Sequence, residues 1–276
     1  MSLAFVSSMN TQLYHYYGKR FLEEFSKFAS NDIRLFIIFE GDYPEEILHI
    51  GENIITVPLI SEKHNRFMKK FSKLEEAKGL RIKIFNDNGV KKINFRQDYR
   101  YNAIRFSYKP FSIDQSLNYL PKNLEYLIWT DADLRCRKKF YSKDMLEFLP
   151  QNKELMSFLG RRNAYSECGF LGFNLRHPSI KEYLNRITNI YESGEIFSLP
   201  QWHDSFIWDH VRKEFEEKNK VNFRNISGSA YDKEHVFYHT KLNDFFDHLK
   251  GDERKKTGDS SMIDNSKIVD EFINKN

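Results

Sequence analysis

Apolar runs of strand length alternate along this chain with longer amphipathic segments, and that alternation restricts the fold more than any other feature. Residues 3–7, 34–39, 54–59, 124–130, 155–159 and 169–174 read as strands. Residues 13–28 read as a helix, because Tyr14, Tyr17, Phe21, Phe25 and Phe28 recur at spacings of three and four. Further helices are expected over 66–78, within 101–120, over 178–192 with a proline near the start, and over 206–218. Strands that are apolar throughout must be covered on both faces. The expected fold is α/β, with a mostly parallel, Rossmann-like central sheet and helices on both faces. No linker divides the chain, so one domain is expected over 1–258. A polar tail with a short helix is expected over 259–276, and 251–261 reads as the loop leading to it.

Composition narrows the function classes. With 276 residues, 40% of them apolar and 30% charged, the chain can bury a sizeable core and is not disordered. Aromatic residues make up 16%; much of that must be core, but clefts also use aromatic faces to stack on bases and sugar rings. A net charge of +4 suits a phosphate-bearing ligand without demanding one. No long Lys/Arg run is present, so no nucleic-acid partner is expected. Cys136 and Cys168 have no metal-ligand spacing, which favours a reducing, cytoplasmic setting. No segment approaches the ~18 apolar residues of a membrane span, and no signal peptide is read. Peripheral contact at the inner face of a membrane is compatible with this pattern.

The most informative stretch is 124–133. An apolar strand ends in Trp129-Thr130 and runs directly into Asp131-Ala132-Asp133. A buried strand does not end in two carboxylates without a reason. Ligands of open α/β sheets bind beyond the carboxyl ends of strands. Two carboxylates there offer hard oxygen ligands to Mn²⁺ or Mg²⁺. A haloacid-dehalogenase phosphatase also uses Asp-x-Asp at a strand end, but near its N-terminus and with Thr where this chain has Arg135.

With these residues the sequence resembles the nucleotide-sugar glycosyltransferases of the GT-A fold, whose hallmark is a DxD motif after a central strand. Glu167-Cys168-Gly169-Phe170-Leu171-Gly172-Phe173-Asn174 resembles a further strand motif of that family, and Trp202-His203-Asp204-Ser205 its acidic-polar segment opening a helix. Asp247-His248-Leu249-Lys250-Gly251, with Lys255 following, is similar to the H-x-x-G-x-x-K segment of glycosyltransferase family 8. Lys255 comes one position late, which makes Lys250 a rival for its role, and Ser205 stands where that retaining family often has Gln.

The resemblance implies that Asp131, Asp133 and His248 hold one divalent cation, Mn²⁺ or Mg²⁺. It also implies that Lys250 or Lys255 contacts the diphosphate of a donor, expected to be a UDP-sugar. Gly251 would let the backbone approach phosphates closely. Arg105 and Lys109, four apart, would share a helix face and can clamp a diphosphate. Asn10 and Tyr14 follow the first strand, at the nucleoside end of such a fold; Glu40 and Asp42, after the second, are weaker candidates. Asp204 fits either a helix N-cap or a contact with donor sugar or acceptor hydroxyl. Glu167 can face the cleft as a base or an orienting group, His203 and Trp202 fit either packing or acceptor contact, and the acceptor is expected to be a glycan or lipid-linked glycan. Two other classes remain open: a non-catalytic nucleotide- or carbohydrate-binding module, and a sugar nucleotidyltransferase. The second normally carries a Gly-rich loop after its first strand, and Phe5-Val6-Ser7-Ser8-Met9-Asn10 has no glycine.

Overall fold

The computed structural model describes residues 2–87, 90–218, 220–228 and 236–258, with residues 83–87 and 90–92 described by backbone alone. The short helix expected within 259–276 lies outside the described residues. β1 (Leu3–Met9) opens the chain, followed by one helical run of α1 (Thr11–Leu13), a π-helical turn (Tyr14–Gly18) and α2 (Lys19–Phe28). β2 (Arg34–Phe39), β3 (Ile54–Pro58) and α3 (Glu62–Phe71) come next, then β4 (Lys78–Asp87) and β5 (Val90–Asn102). α4 (Ala103–Ser116) leads to β6 (Tyr126–Thr130), β7 (Leu134–Cys136) and the short α5 (Ser142–Met145). β8 (Glu154–Leu159), β9 (Glu167–Asn174), α6 (Ile180–Ser193) and α7 (Asp204–Lys218) follow, and β10 (Asn222–Asn225), β11 (Phe246–His248) and α8 (Asp252–Thr257) complete the described chain.

The central sheet has seven strands in the order β10-β8-β9-β6-β1-β2-β3. All neighbours pair in parallel except β9, which runs antiparallel to both β6 and β8. The mostly parallel α/β sheet expected from the sequence is therefore present. Its strands are apolar because both faces are covered. Ala4 and Val6 of β1 join a core with Phe67 of α3, Phe111 of α4, Ile187 of α6 and Phe206 of α7. Leu3 and Phe5 face the other way, onto Phe21 and Phe25 of α2, Phe140 and Phe246. Among the described residues, no helix is long and apolar enough to cross a membrane.

Three local features differ from the sequence reading. The helix expected over 66–78 runs instead over Glu62–Phe71: the Ser61 hydroxyl caps its start by accepting from the His64 amide at 3.3 Å, and Lys78 already belongs to β4. The stretch between it and α4 forms a separate hairpin, β4–β5, outside the main sheet. Part of the loop expected over 251–261 is the helix α8, bracketed by Gly251 and Gly258, both at positive φ. Asp252 and Glu253 at its start and Arg254 to Lys256 at its end match the helix dipole. The Arg20 guanidinium holds its last turn by donating to the Lys255 carbonyl at 2.6 Å.

A small antiparallel pair completes the fold. β11 pairs with β7, matching Phe246 with Cys136 and His248 with Leu134. Phe246 anchors β11, its ring 5.1 Å from Phe140 and 6.1 Å from Phe5. Phe246→Ala should therefore cost about 3–5 kcal/mol of stability, measured by urea denaturation. A loss below about 1 kcal/mol would show that β11 is not held by this aromatic contact.

Candidate active site

The site forms where β6 ends. Asp131 is the first residue past the strand, and its amide donates to the Gly169 carbonyl at 3.1 Å. Because β9 is antiparallel to β6, its start rather than its end lies at this edge, which places Glu167 beside the acidic pair. Trp129 donates its indole N–H to Asp131 Oδ1 at 2.9 Å, so the tryptophan before the acidic pair orients its first carboxylate.

His248 reaches the same place through the β7–β11 pairing. The chain leaves Asp133 directly into β7, β11 pairs with that strand, and the Leu249 amide donates to the Asp133 carbonyl at 3.2 Å. His248 is 1% exposed; its Nε2 lies 3.1 Å from Asp133 Oδ1 and 4.0 Å from Asp131 Oδ2, and its Nδ1 lies 3.6 Å from Glu167 Oε1. The ring packs edge-on against Phe237 at 5.2 Å. Gly169 makes room for it, since a Cβ there would stand 2.5 Å from His248 Cε1. Lys255, presented by α8, reaches Asp133 Oδ2 at 2.6 Å, and Lys250 lies 3.4 Å from Glu167 Oε2 and 3.3 Å from His248 Nε2. Burial alone would raise the Asp133 carboxyl, but His248, Lys255 and Lys250 outweigh it and hold Asp133 well below the usual carboxylate range.

Lys109 occupies a different position from the one its spacing suggested. Arg105 is exposed at the cleft, but the Lys109 side chain is buried among protein acceptors. Its ammonium lies 2.9 Å from Asp131 Oδ1 and 2.5 Å from Asp204 Oδ2, and donates to the Cys168 carbonyl at 2.9 Å. Burial opposes the Lys109 charge, but Asp131 and Asp204 more than offset it and keep the amine protonated. The Asp204 carboxyl in turn, disfavoured by burial, is held below its ordinary value by Lys109. Lys109 thus locks the end of β6 to the start of α7 rather than standing free to clamp a diphosphate.

Two cavities meet over these residues. One, of about 480 Å³, reaches under the C-terminal ends of β1 and β2 and is lined by Asn10, Tyr17, Glu40, Arg105, Asp131 and Asp133 among others. The second, of about 600 Å³, opens on the other side and is lined by Tyr99, Arg161, Tyr165, Glu167, His203 and Lys250 among others. Arg105, Phe106, Asp131, Asp133, Asp204 and Lys255 line both.

The remaining sequence candidates separate clearly. Asn10 caps α1, its side chain accepting from the Leu13 amide at 2.9 Å, and also lines the first cavity. Tyr14 is fully buried and donates to Glu46 at 3.0 Å; the tyrosine that lines the cavity is Tyr17, one turn on. Asp42 is exposed and lies outside both linings. His203 is buried at the second cavity, with Nε2 2.8 Å from Gln201 Oε1 and its ring 5.4 Å from Tyr165. Trp202 packs against Tyr101 and Phe197 and is core rather than a platform. Gly251 is the N-cap of α8 at φ 87° and lines neither cavity. Sequence reasoning missed Tyr17, Tyr99, Arg161 and Tyr165. Tyr99 and Arg161 come from segments with no strand or helix pattern, while Tyr17 was legible only as one of several aromatics on one helix face.

The donor set suits a divalent cation. Asp131, Glu167 and His248 each offer one ligand atom, all within 4.8 Å of one another. Asp133 Oδ1 is buried and faces the same imidazole at 3.1 Å. Carboxylate oxygens with one imidazole nitrogen are acceptable to Mn²⁺ and, with fewer nitrogens favoured, to Mg²⁺.

Neither a protein-family model nor a curated protein sequence matches the chain. Among solved structures it is similar to mouse xyloside xylosyltransferase 1, at 11% identity and a TM-score of 0.45, over 82% of this chain and 85% of that one. It is also similar to the glycosyltransferase GlyE of Streptococcus pneumoniae, at 10% identity and a TM-score of 0.45, covering 82% of this chain but only 46% of that one. A third is a glycosyltransferase involved in the glycosylation of the major capsid of PBCV-1, at 11% identity and a TM-score of 0.46, over 94% and 98%. Likeness of this degree carries no functional inference.

Glu40 supplies a pH-dependent test of the first cavity. Burial pushes its carboxyl up to about 7, against the opposing pull of Ser8, Arg105 and Asn10. A carboxyl with a folded pKa above its unfolded one contributes stability that is full below the unfolded pKa and is lost as pH rises through the folded one. Glu40→Gln should therefore gain thermal stability over the parent chain between about pH 5 and about pH 8. A Tm difference that stays constant across that range would contradict the burial assigned to Glu40.

Proposed function

We propose that the chain is a metal-dependent glycosyltransferase of GT-A type, moving a sugar from a nucleoside-diphosphate sugar, a UDP-sugar, to an acceptor hydroxyl on a glycan or lipid-linked glycan. The observation that carries this reading is the meeting of His248 with Asp131 and Asp133 at the junction of two cavities. A donor with two chemically distinct halves fits such a junction. In this reading the nucleoside lies in the cavity lined by Asn10, Tyr17 and Glu40, the diphosphate at the junction, and the acceptor in the cavity lined by Tyr99, Tyr165 and His203.

Asp131, Asp133 and His248 would hold the cation, with Glu167 as a further carboxylate within ligand reach, its Oε1 3.6 Å from Nδ1. A cation so held supplies Lewis-acid neutralisation of the departing diphosphate. The protein's own cations do the rest. Lys255, Lys250 and Arg105 surround the place where negative charge grows as the anomeric C–O bond breaks, and preorganised charge of this kind is often the largest catalytic contribution. Lys109 contributes by fixing Asp131 and Asp204 in place. Asp204, at the start of α7, is set to contact the donor sugar or acceptor hydroxyl. As an ion-paired carboxylate held below its ordinary range it is a weak base, which fits retention of configuration, where no dedicated base is required.

The decisive experiment is a thermal-shift screen of nucleoside diphosphates with and without Mn²⁺, followed by an assay for nucleotide release from the matching sugar conjugate. Ligand at 100 times its dissociation constant adds about 2.7 kcal/mol, a rise of several degrees for a chain of this size. Metal-dependent stabilisation by one nucleotide, with turnover that falls about 100-fold or more in Asp133→Ala, is the expected result. Stabilisation without any turnover would favour a binding module, and no stabilisation by any nucleotide would refute the reading.

A further inference from the structure

The β4–β5 hairpin lies outside the main sheet, touching the first core through Tyr101 at its base, and carries a two-faced surface. Its base is anchored: the Arg81 guanidinium lies 3.6 Å from the Tyr101 ring centroid and 4.7 Å from that of Trp202, and the Trp202 amide donates to the Arg100 carbonyl at 2.7 Å. Beyond the base the strands turn apolar side chains to solvent. Ile82 and Phe95 sit directly opposite each other in the ladder, and Ile93 is two residues along on the same face. These three are 56%, 62% and 59% exposed, in a chain whose other large apolar residues are mostly buried. Isolated exposed apolar residues need no explanation, but a contiguous exposed group on one element marks an interaction surface.

The opposite face is basic. Arg81 pairs across the ladder with Arg96, and like charges placed directly opposite are destabilising unless something offsets them. The aromatic rings at the base engage Arg81, while Arg96 is exposed. Over residues 78–102 the sequence holds seven Lys or Arg residues against Asp87 and Asp98; Lys78 pairs with Glu75 and Arg100 with Asp98, each at 2.6 Å, and the segment stays net basic. A narrow element with one apolar and one basic face complements the boundary of an anionic bilayer, where apolar side chains enter the acyl region and cations meet the headgroups.

We propose that the β4–β5 hairpin docks the protein on an anionic lipid surface. The hairpin ends beside the second cavity, which Tyr99 of β5 lines, so docking would present that cavity toward the membrane. This inference is independent of the chemistry assigned to the site.

Co-sedimentation with vesicles tests it. The full chain should bind vesicles of phosphatidylcholine with phosphatidylglycerol, bind phosphatidylcholine vesicles far more weakly, and dissociate as salt is raised. The double variant Ile82→Ser/Phe95→Ser and the single variant Arg96→Glu should each weaken binding about tenfold or more. Both alter exposed positions, so their melting temperatures and nucleotide-induced thermal shifts should match the parent. Failure of the parent to bind anionic vesicles, or parent-like binding by both variants, would overturn the proposal. So would self-association of the parent in the absence of lipid that the double variant abolishes, because the face would then join two copies of this chain.

Discussion

The site depends on the arrival of cations at a buried carboxylate. Asp133 is 8% exposed, and a carboxylate so placed is costly unless charge of the opposite sign is brought to it. Two separate segments meet that need. β11 carries His248 in along the strand that leaves Asp133, and α8 carries Lys255 in from the far end of the described chain. Both are tied to the first helical run or the strand beside it. Arg20 holds the last turn of α8, and the Arg135 guanidinium of β7 bonds both Glu24 of α2 and the Gly258 carbonyl. The late chain therefore completes a site that the central sheet only begins.

Lys109 provides the second constraint. One ammonium bridges Asp131, Asp204 and the Cys168 carbonyl, joining β6, α7 and β9 at a single point. Removing a partner from such a buried cluster leaves an uncompensated charge, which is why a lysine engaged by protein acceptors at the wall of the first cavity can govern the geometry of both. The hairpin is the opposite case. Among the described residues it is anchored at its base and leaves apolar and basic groups outside the core, and so is suited to contact with something other than the rest of this chain.

Much of the fold was legible because burial on both faces writes itself into the sequence as uninterrupted apolar runs. Residues 35–39 and 126–129 are such runs, and they lie in β2 and β6 of the central sheet. The hairpin was not legible, since strands exposed on both faces mix Arg, Ile and Asn with no buried face to impose a pattern. β7 and β11 are only three residues each, too short for any periodicity. At the site, Asp131 and Asp133 could be singled out because two carboxylates closing an apolar strand conflict with simple burial. The structure brings His248, Glu167, Lys250 and Lys255 around that pair. Lys109 was read from helix spacing alone as facing phosphate, and spacing cannot reveal that Asp131 and Asp204 reach it first. Tyr14 shows the same limit, because two tyrosines on one helical run are equivalent in the pattern and only packing separates Tyr17 at the cavity from Tyr14 in the core.

In the proposed function, an imidazole and the acidic pair hold one cation between them. Pulsed electron paramagnetic resonance of Mn²⁺ added with a nucleoside diphosphate tests it directly. A nitrogen coupling from one histidine is expected in the parent protein, lost in His248→Ala while the fold is retained. Mn²⁺ that binds with no nitrogen coupling, or with a coupling that survives the loss of His248, would contradict it.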